Sequence, residues 1–224
     1  MSIKKGDFVE LDYTGILEET QEAFDTTMES VAKEKKIHNP KREYKPVIVI
    51  LGENQLLPGL ETYVEGKQPG EYKVSLKAEE AFGLKDPKLL KLIPLKAFTQ
   101  QRIQPMVGLD VSIDGQNGVV RSVNGGRIIV DFNHPLSSKN VRYELNIKRI
   151  LTDPKEKIES WFSIVGLPYK NIKVEGQKAS VEFTQTIPEA LIKHFQEQLQ
   201  RYVGLEVTLK NPETQEPVKS QKTQ

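Results

Sequence analysis

The chain has no cysteine. That absence excludes a disulfide framework, a thiolate nucleophile and any cysteine-ligated metal centre. Histidine is nearly as scarce. His38, His134 and His194 lie far apart, without the spacing of a ligand set, and are expected on the surface or in structural roles, so no metal site is expected. There is no G-x-S-x-G, no phosphate-binding P-loop and no dinucleotide fingerprint. The glycine pair in "SVNGGR" suits a hairpin turn better than a phosphate cradle, and no cofactor is expected. An excess of one charge is also missing: 32 basic residues face 31 acidic ones, for a net charge of +1. Such a balance sets up no field that would draw in nucleic acid or acidic lipid, and neither is expected as a partner. No apolar run is long enough for a signal peptide or a membrane span, so a cytoplasmic protein is the simplest expectation.

What is present is a set of short elements. Apolar residues make up 37% of 224, which suits several small domains better than one large core. "GDFVELDYTGIL" alternates Phe8, Glu10 and Asp12 against Val9, Leu11 and Tyr13, a strand expected to end at Gly15. The charged stretch 30–46, with Pro40 and Pro46, reads as a long loop. "VIVIL" is a strand covered on both faces. "NQLLPGLETYVEG" spaces Leu56, Leu57, Leu60, Tyr63 and Val64 as a short helix, with Asn54 as a candidate cap. "GEYKVSL" alternates again, and "NVRYELNIKRIL" is a longer strand.

Two further regions stand apart. Between 86 and 130, turn pairs at Asp114-Gly115, Asn117-Gly118 and Asn124-Gly125 mark hairpins around "GVVRSV" and "RIIVDF". From Asp153 the order is α-β-β-α-β. Asp153 is a cap with Pro154 and Glu156 behind it, and Ile158, Trp161, Phe162 and Val165 form an apolar stripe. A second helix is expected to start from Thr186 with a Leu191, Phe195, Leu199, Tyr202 stripe. The polar tail at 213–224 reads as disordered.

"GDFVELDYTGIL", "EAFDTT", "VIVILGENQLLPGLETYVEG", "AEEAFG" and "VRYELNIKRI" follow one another in an order and spacing that resemble the FKBP-type peptidyl-prolyl isomerases. The nearest look is the long archaeal form with a SlyD-like insert in its flap, and "FNHPL" matches the return from that insert. The resemblance covers residues 1–151 and implies an α+β fold: an antiparallel sheet wrapped on a short helix. The expected domains are 1–85 with 131–151 for isomerisation, 86–130 as an inserted small β-rich chaperone domain, and 152–212 as a C-terminal α-β-β-α-β domain.

The resemblance also implies a prolyl pocket. Leu60 would be its floor, where many members carry tryptophan. Tyr13, Val47, Leu56, Leu57 and Tyr143 would be its walls, with Phe24 and Asp25 at one side, Phe82 at the mouth and Leu136 at the rim. Tyr13, Phe24, Asp25, Leu57, Phe82 and Tyr143 are the candidate catalytic residues; Val47, Leu56, Leu60 and Leu136 are the candidate binding residues. Phe82 stands where many relatives have tyrosine, whose hydroxyl can bond a substrate carbonyl.

The implied activity is isomerisation of X–Pro bonds, with chaperone character. The alternative is a catalytically weak polypeptide-binding chaperone or partner-binding module of the same fold. Implied partners are unfolded or nascent proline-containing chains. Macrolide inhibitors are a further implied ligand, and dimerisation or added client surface a role for the C-terminal region.

Overall fold

The computed structural model describes residues 1–212, so the tail expected at 213–224 lies outside the described residues. The chain opens with β1 (Phe8–Leu17) and β2 (Ala23–Thr26). A short helix, α1 (Glu29–Glu34), forms inside the stretch that reads as loop, and β3 (Val47–Ile50), α2 (Pro58–Val64) and β4 (Gly70–Leu76) follow. β1 does not stop at Gly15. A Cβ there would stand 2.5 Å from the Phe24 ring, so the glycine opens the space in which β2 packs its aromatic side chain, and the strand runs on to Leu17. α2 starts later than Asn54. That residue sits in the preceding turn with a φ of 55°, while Leu57 is the N-cap and Pro58 takes the first helical position, where its missing N–H costs nothing.

After β4 the chain leaves the sheet through a turn at Gly83, whose φ is 74°. β5 (Leu90–Pro94), α3 (Leu95–Gln100), β6 (Asp110–Ile113), β7 (Gln116–Asn124) and β8 (Arg127–Asp131) form a four-stranded antiparallel sheet in the order β5-β8-β7-β6. Asn117-Gly118 is not a turn: it lies inside β7, and Gly118 packs against Val130 and Phe132. Val111, Val120, Ile128 and Val130 gather on Phe98 of α3 as a small core.

The return strand, β9 (Val141–Ile150), inserts between β1 and β4. The sheet order is β2-β1-β9-β4, β3 pairs the first half of β1, and every pairing is antiparallel. Leu60 and Val64 of α2 cover one face, over Val9, Leu11, Val49 and Leu145. The protein thus has the FKBP-like α+β architecture, with a curled sheet on a short helix.

Beyond β9 come α4 (Pro154–Val165), β10 (Tyr169–Glu175), β11 (Lys178–Phe183), α5 (Glu189–Val203) and β12 (Glu206–Lys210). The Asp153 carboxylate accepts the Glu156 N–H at 2.9 Å, so α4 starts as its sequence indicates. α5 starts from Pro188 instead of Thr186. It buries Ile192, Leu199 and Tyr202, so Leu191 lies off the apolar stripe at 46% exposure. The sheet order is β10-β11-β12, with β11 and β12 parallel.

These C-terminal elements share a core with the first sheet. Phe8 of β1, Ile50 of β3 and Leu151 belong to one buried cluster with Trp161, Phe162 and Leu199. Phe8 meets Tyr202 edge to face at 6.1 Å. Arg149 of β9 joins Glu10 of β1 at 2.6 Å and Glu156 of α4 at 2.9 Å.

Candidate active site

The curl of the sheet leaves a cleft of about 790 Å³ between the β1–β2 edge on one side and β3 with the start of α2 on the other. Its floor is the buried pair Leu60 of α2 and Tyr143 of β9. Tyr143 lies directly across the ladder from Gly15, so the residue opposite has no side chain and leaves room for rings. Phe24 uses that room. It stands edge-on to Tyr143 at 5.9 Å and to Phe82 at 5.8 Å, while Tyr13 leans on Tyr143 at 5.9 Å. Geometries of this kind hold aromatic walls in place beyond simple burial. Val47, Leu56 and Leu57 line the opposite wall, and Leu136 borders the rim. All the candidate residues named from the sequence therefore line one cavity.

Polar groups are few, and most are engaged. The Tyr13 hydroxyl donates to one Asp25 oxygen at 2.7 Å, and Arg42, from the loop after α1, donates to the other. Burial, reinforced by the Asp25 carboxylate beside it, pushes the Tyr13 phenol up to about 12, so it stays protonated and remains a donor through the neutral range. Burial likewise pushes the Tyr143 phenol well above the usual range, with Tyr13 and Asp25 adding to it. The strand beneath is pinned by buried polar pairs. Thr27 donates to Asp12 at 2.7 Å, and the Thr14 and Thr26 hydroxyls meet at 2.9 Å.

Several residues in or around the cleft escape the sequence reading. His134 stacks on Phe82 at 4.7 Å with the rings 3° from parallel, and its Nδ1 accepts the Leu136 N–H at 3.1 Å. The accepting Nδ1 places the ring proton of the neutral form on Nε2. The available signal was its place in "FNHPL", two residues before Leu136. Gln55 ties the loop before α2 to β3 by accepting the Ile50 N–H at 2.9 Å. Arg42 carries no sequence signal, because it reaches Asp25 from a charged loop 17 residues away. Ile164 comes from α4 and is also part of the lining.

Among the described residues the lining holds no serine, threonine, cysteine or lysine, and its one carboxylate is already bonded twice. No group of three potential metal ligands occurs among the described residues. The site can hold an apolar ring in a partly desolvated slot, with aromatic edges on one side and aliphatic side chains on the other.

Together the half-wrapped sheet and the aromatic cleft beside α2 define an FKBP-like protein with an inserted sheet in the connection between β4 and β9. The FKBP-type peptidyl-prolyl cis-trans isomerase model matches residues 1–98, and a model described as FKBP26, IF domain, matches 91–136. A short-type peptidyl-prolyl cis-trans isomerase of Methanocaldococcus jannaschii is 36% identical over 149 residues, which are 66% of this chain and 94% of the relative. An FKBP-type 16 kDa peptidyl-prolyl cis-trans isomerase of Escherichia coli is 34% identical over 47% of this chain and 74% of its own length. The FKBP-type isomerase SlyD of Aeromonas hydrophila is 29% identical over 67% of this chain and 65% of its own. A solved structure of the three FKBP domains of wheat FKBP73 aligns with a TM-score of 0.35 and 16% identity, over 68% of this chain and 42% of that one. The chain belongs to the FKBP-type peptidyl-prolyl cis-trans isomerase family, a family of enzymes.

Proposed function

We propose that the cleft binds the prolyl ring of an X–Pro segment in an unfolded or folding polypeptide and accelerates its cis–trans rotation. The observation that carries this reading is the lining itself: aromatic edges, aliphatic walls and a phenol fixed on a carboxylate, with no serine, threonine, cysteine or lysine among the described residues. Rotation about a peptide bond costs about 18–20 kcal/mol because it breaks amide resonance. The twisted amide carries less charge separation than the planar one. An apolar slot that desolvates the amide disfavours the planar form more, and one that grips the ring favours the twisted form selectively. Tyr13 and Asp25 orient the slot in this reading; they do not pass a proton. Substrate contact is assigned to Tyr13, Phe24, Asp25, Leu57, Phe82 and Tyr143, with Val47, Leu56, Leu60 and Leu136 shaping the ring site. A macrolide inhibitor would enter the same cleft, over an aliphatic Leu60 floor that makes a looser pocket than an indole would.

The chain is read as 1–85 with 131–151 for isomerisation, 86–130 for holding clients, and 152–212 as the C-terminal region. Client holding is supported by apolar surface on the inserted segment: Leu92 is 56% exposed, Met106 59% and Val107 68%, with Leu90, Leu95 and Ile129 also open. Capture there raises the local concentration of prolines near the cleft. A homodimer through the C-terminal elements would cover the exposed Val165 and Leu191. The second reading, a weakly catalytic polypeptide-binding module, is favoured by Phe82, which offers no hydroxyl at the mouth. Replacing 86–130 by a short glycine-containing loop separates the roles. Tetrapeptide isomerisation is expected to survive within about tenfold, while catalysis of a proline-limited refolding and suppression of aggregation fall much further. Parallel loss of both, or no change in either, contradicts the division.

A further inference from the structure

Ile164 lies outside both family-model matches, which end at residues 98 and 136, yet it lines the cleft. The reason is the way α4 lies against the back of β3. Val47 and Val49 turn toward the cleft and its core, while Ile48 and Ile50 pack with the C-terminal elements. Ile158, Trp161 and Phe162 of α4 are buried in that shared core. Ile164, in the last turn of α4, is only part-buried and lines the cleft together with Ile48 and Leu56.

The backbone there is open as well. Among the described residues β3 pairs only with β1, and Leu51, just beyond its end, exchanges both its groups on that side: it donates to Asp7 at 3.0 Å and accepts from Gly6 at 2.8 Å. Alternate residues face the same way, so Ile48 and Ile50 turn their N–H and C=O groups to the free edge. The Ile50 N–H is taken by Gln55 at 2.9 Å. Among the described residues the Ile48 N–H and C=O have no partner.

We propose that the substrate cleft continues past the prolyl slot onto the strip formed by Leu56, Ile48 and Ile164. There it receives an apolar side chain of the same polypeptide, a few residues from the X–Pro bond, while the extended backbone reaches the free edge at Ile48. The occupant is the substrate chain, because the strip is continuous with the cleft and apolar in the same way. The C-terminal region thereby sets sequence preference around the proline. The short-type relative, 94% of which is matched by 66% of this chain, has no matched counterpart for the remaining third. This inference rests on the reading of the cleft as a prolyl site.

The test uses the full chain as wild type, Ile164→Asp, Ile164→Ala and Ile164→Leu. Two unstructured ten-residue peptides, each with one X–Pro bond, carry either leucine or serine three residues from the proline on both sides. Exchange NMR gives kcat/KM, and fluorescence anisotropy gives Kd. Wild type is expected to favour the leucine peptide about fivefold, the size expected when a half-open strip removes part of one apolar side chain from water. The ratio should fall to about one in Ile164→Asp, decline in Ile164→Ala and return in Ile164→Leu, with the change in KM and not in kcat. A wild-type ratio of one overturns the proposal. So does a ratio that stays near five while the Asp and Ala variants lose activity on both peptides alike, since that marks Ile164 as merely structural. Wild type that fails to accelerate even a tetrapeptide removes the prolyl reading beneath it.

Discussion

Both oxygens of Asp25 are engaged inside the protein, one by Tyr13 and one by Arg42, and that decides what the residue can do. It holds the Tyr13 ring at the cleft wall and is not a free base. Asp25→Ala is expected to lower kcat/KM on short X–Pro peptides by roughly tenfold, as loss of a hydrogen bond to a charged group allows, without changing the fold. A protease-coupled assay beside a thermal melt checks this, and unchanged turnover would make Asp25 a turn residue only. Phe82 is packed between Phe24 and His134 but stays part-exposed at the mouth. Phe82→Tyr should therefore keep activity within about tenfold of wild type, because the added hydroxyl is worth only about 0.5–1.5 kcal/mol net. A hundredfold loss would show that the ring is buried in the working enzyme.

Among the elements, the two connections to the inserted sheet are fastened together at Asp131. Burial pushes its carboxyl up, but bonds from Lys85 at 2.8 Å and from Asn133 outweigh burial and hold it well below the usual carboxylate range. A carboxylate depressed in the fold stabilises above its unfolded value, about 4, and loses that contribution as pH falls through its folded value. Asp131→Asn is thus expected to cost about 1–3 kcal/mol at neutral pH. The gap between wild-type and variant melting temperatures should hold steady from pH 8 to about 5 and narrow progressively as pH falls below about 4. A gap that does not narrow in acid contradicts the assignment. The cleft was more legible in the sequence than the packing of its surroundings. Phe24, Leu57, Leu60 and Phe82 sit in short landmarks whose order survives without coordinates. Pro188 in place of Thr186, and Gly118 inside a strand, were not legible, because local grammar allows both outcomes and tertiary packing selects one.

For the molecule as a whole, "VIVIL" announced a strand covered on both faces, but not that the second cover is the C-terminal region. Truncation after residue 151 would uncover Phe8, Ile50 and Leu151. At about 1.5–3 kcal/mol for each buried side chain, the remaining chain should melt more than about 10 °C lower. An unchanged melting temperature would mean that the shared core contributes nothing. Rotation of X–Pro bonds in this cleft can be read by exchange NMR on a labelled X–Pro tetrapeptide with catalytic amounts of the full chain. Uncatalysed exchange takes tens to hundreds of seconds. Exchange is expected to become fast enough to broaden or cross-correlate the cis and trans signals, and to lose that effect when Leu57→Arg places a charge in the cleft wall. Exchange that stays at the uncatalysed rate with wild type, or that Leu57→Arg leaves intact, would contradict rotation in this cleft.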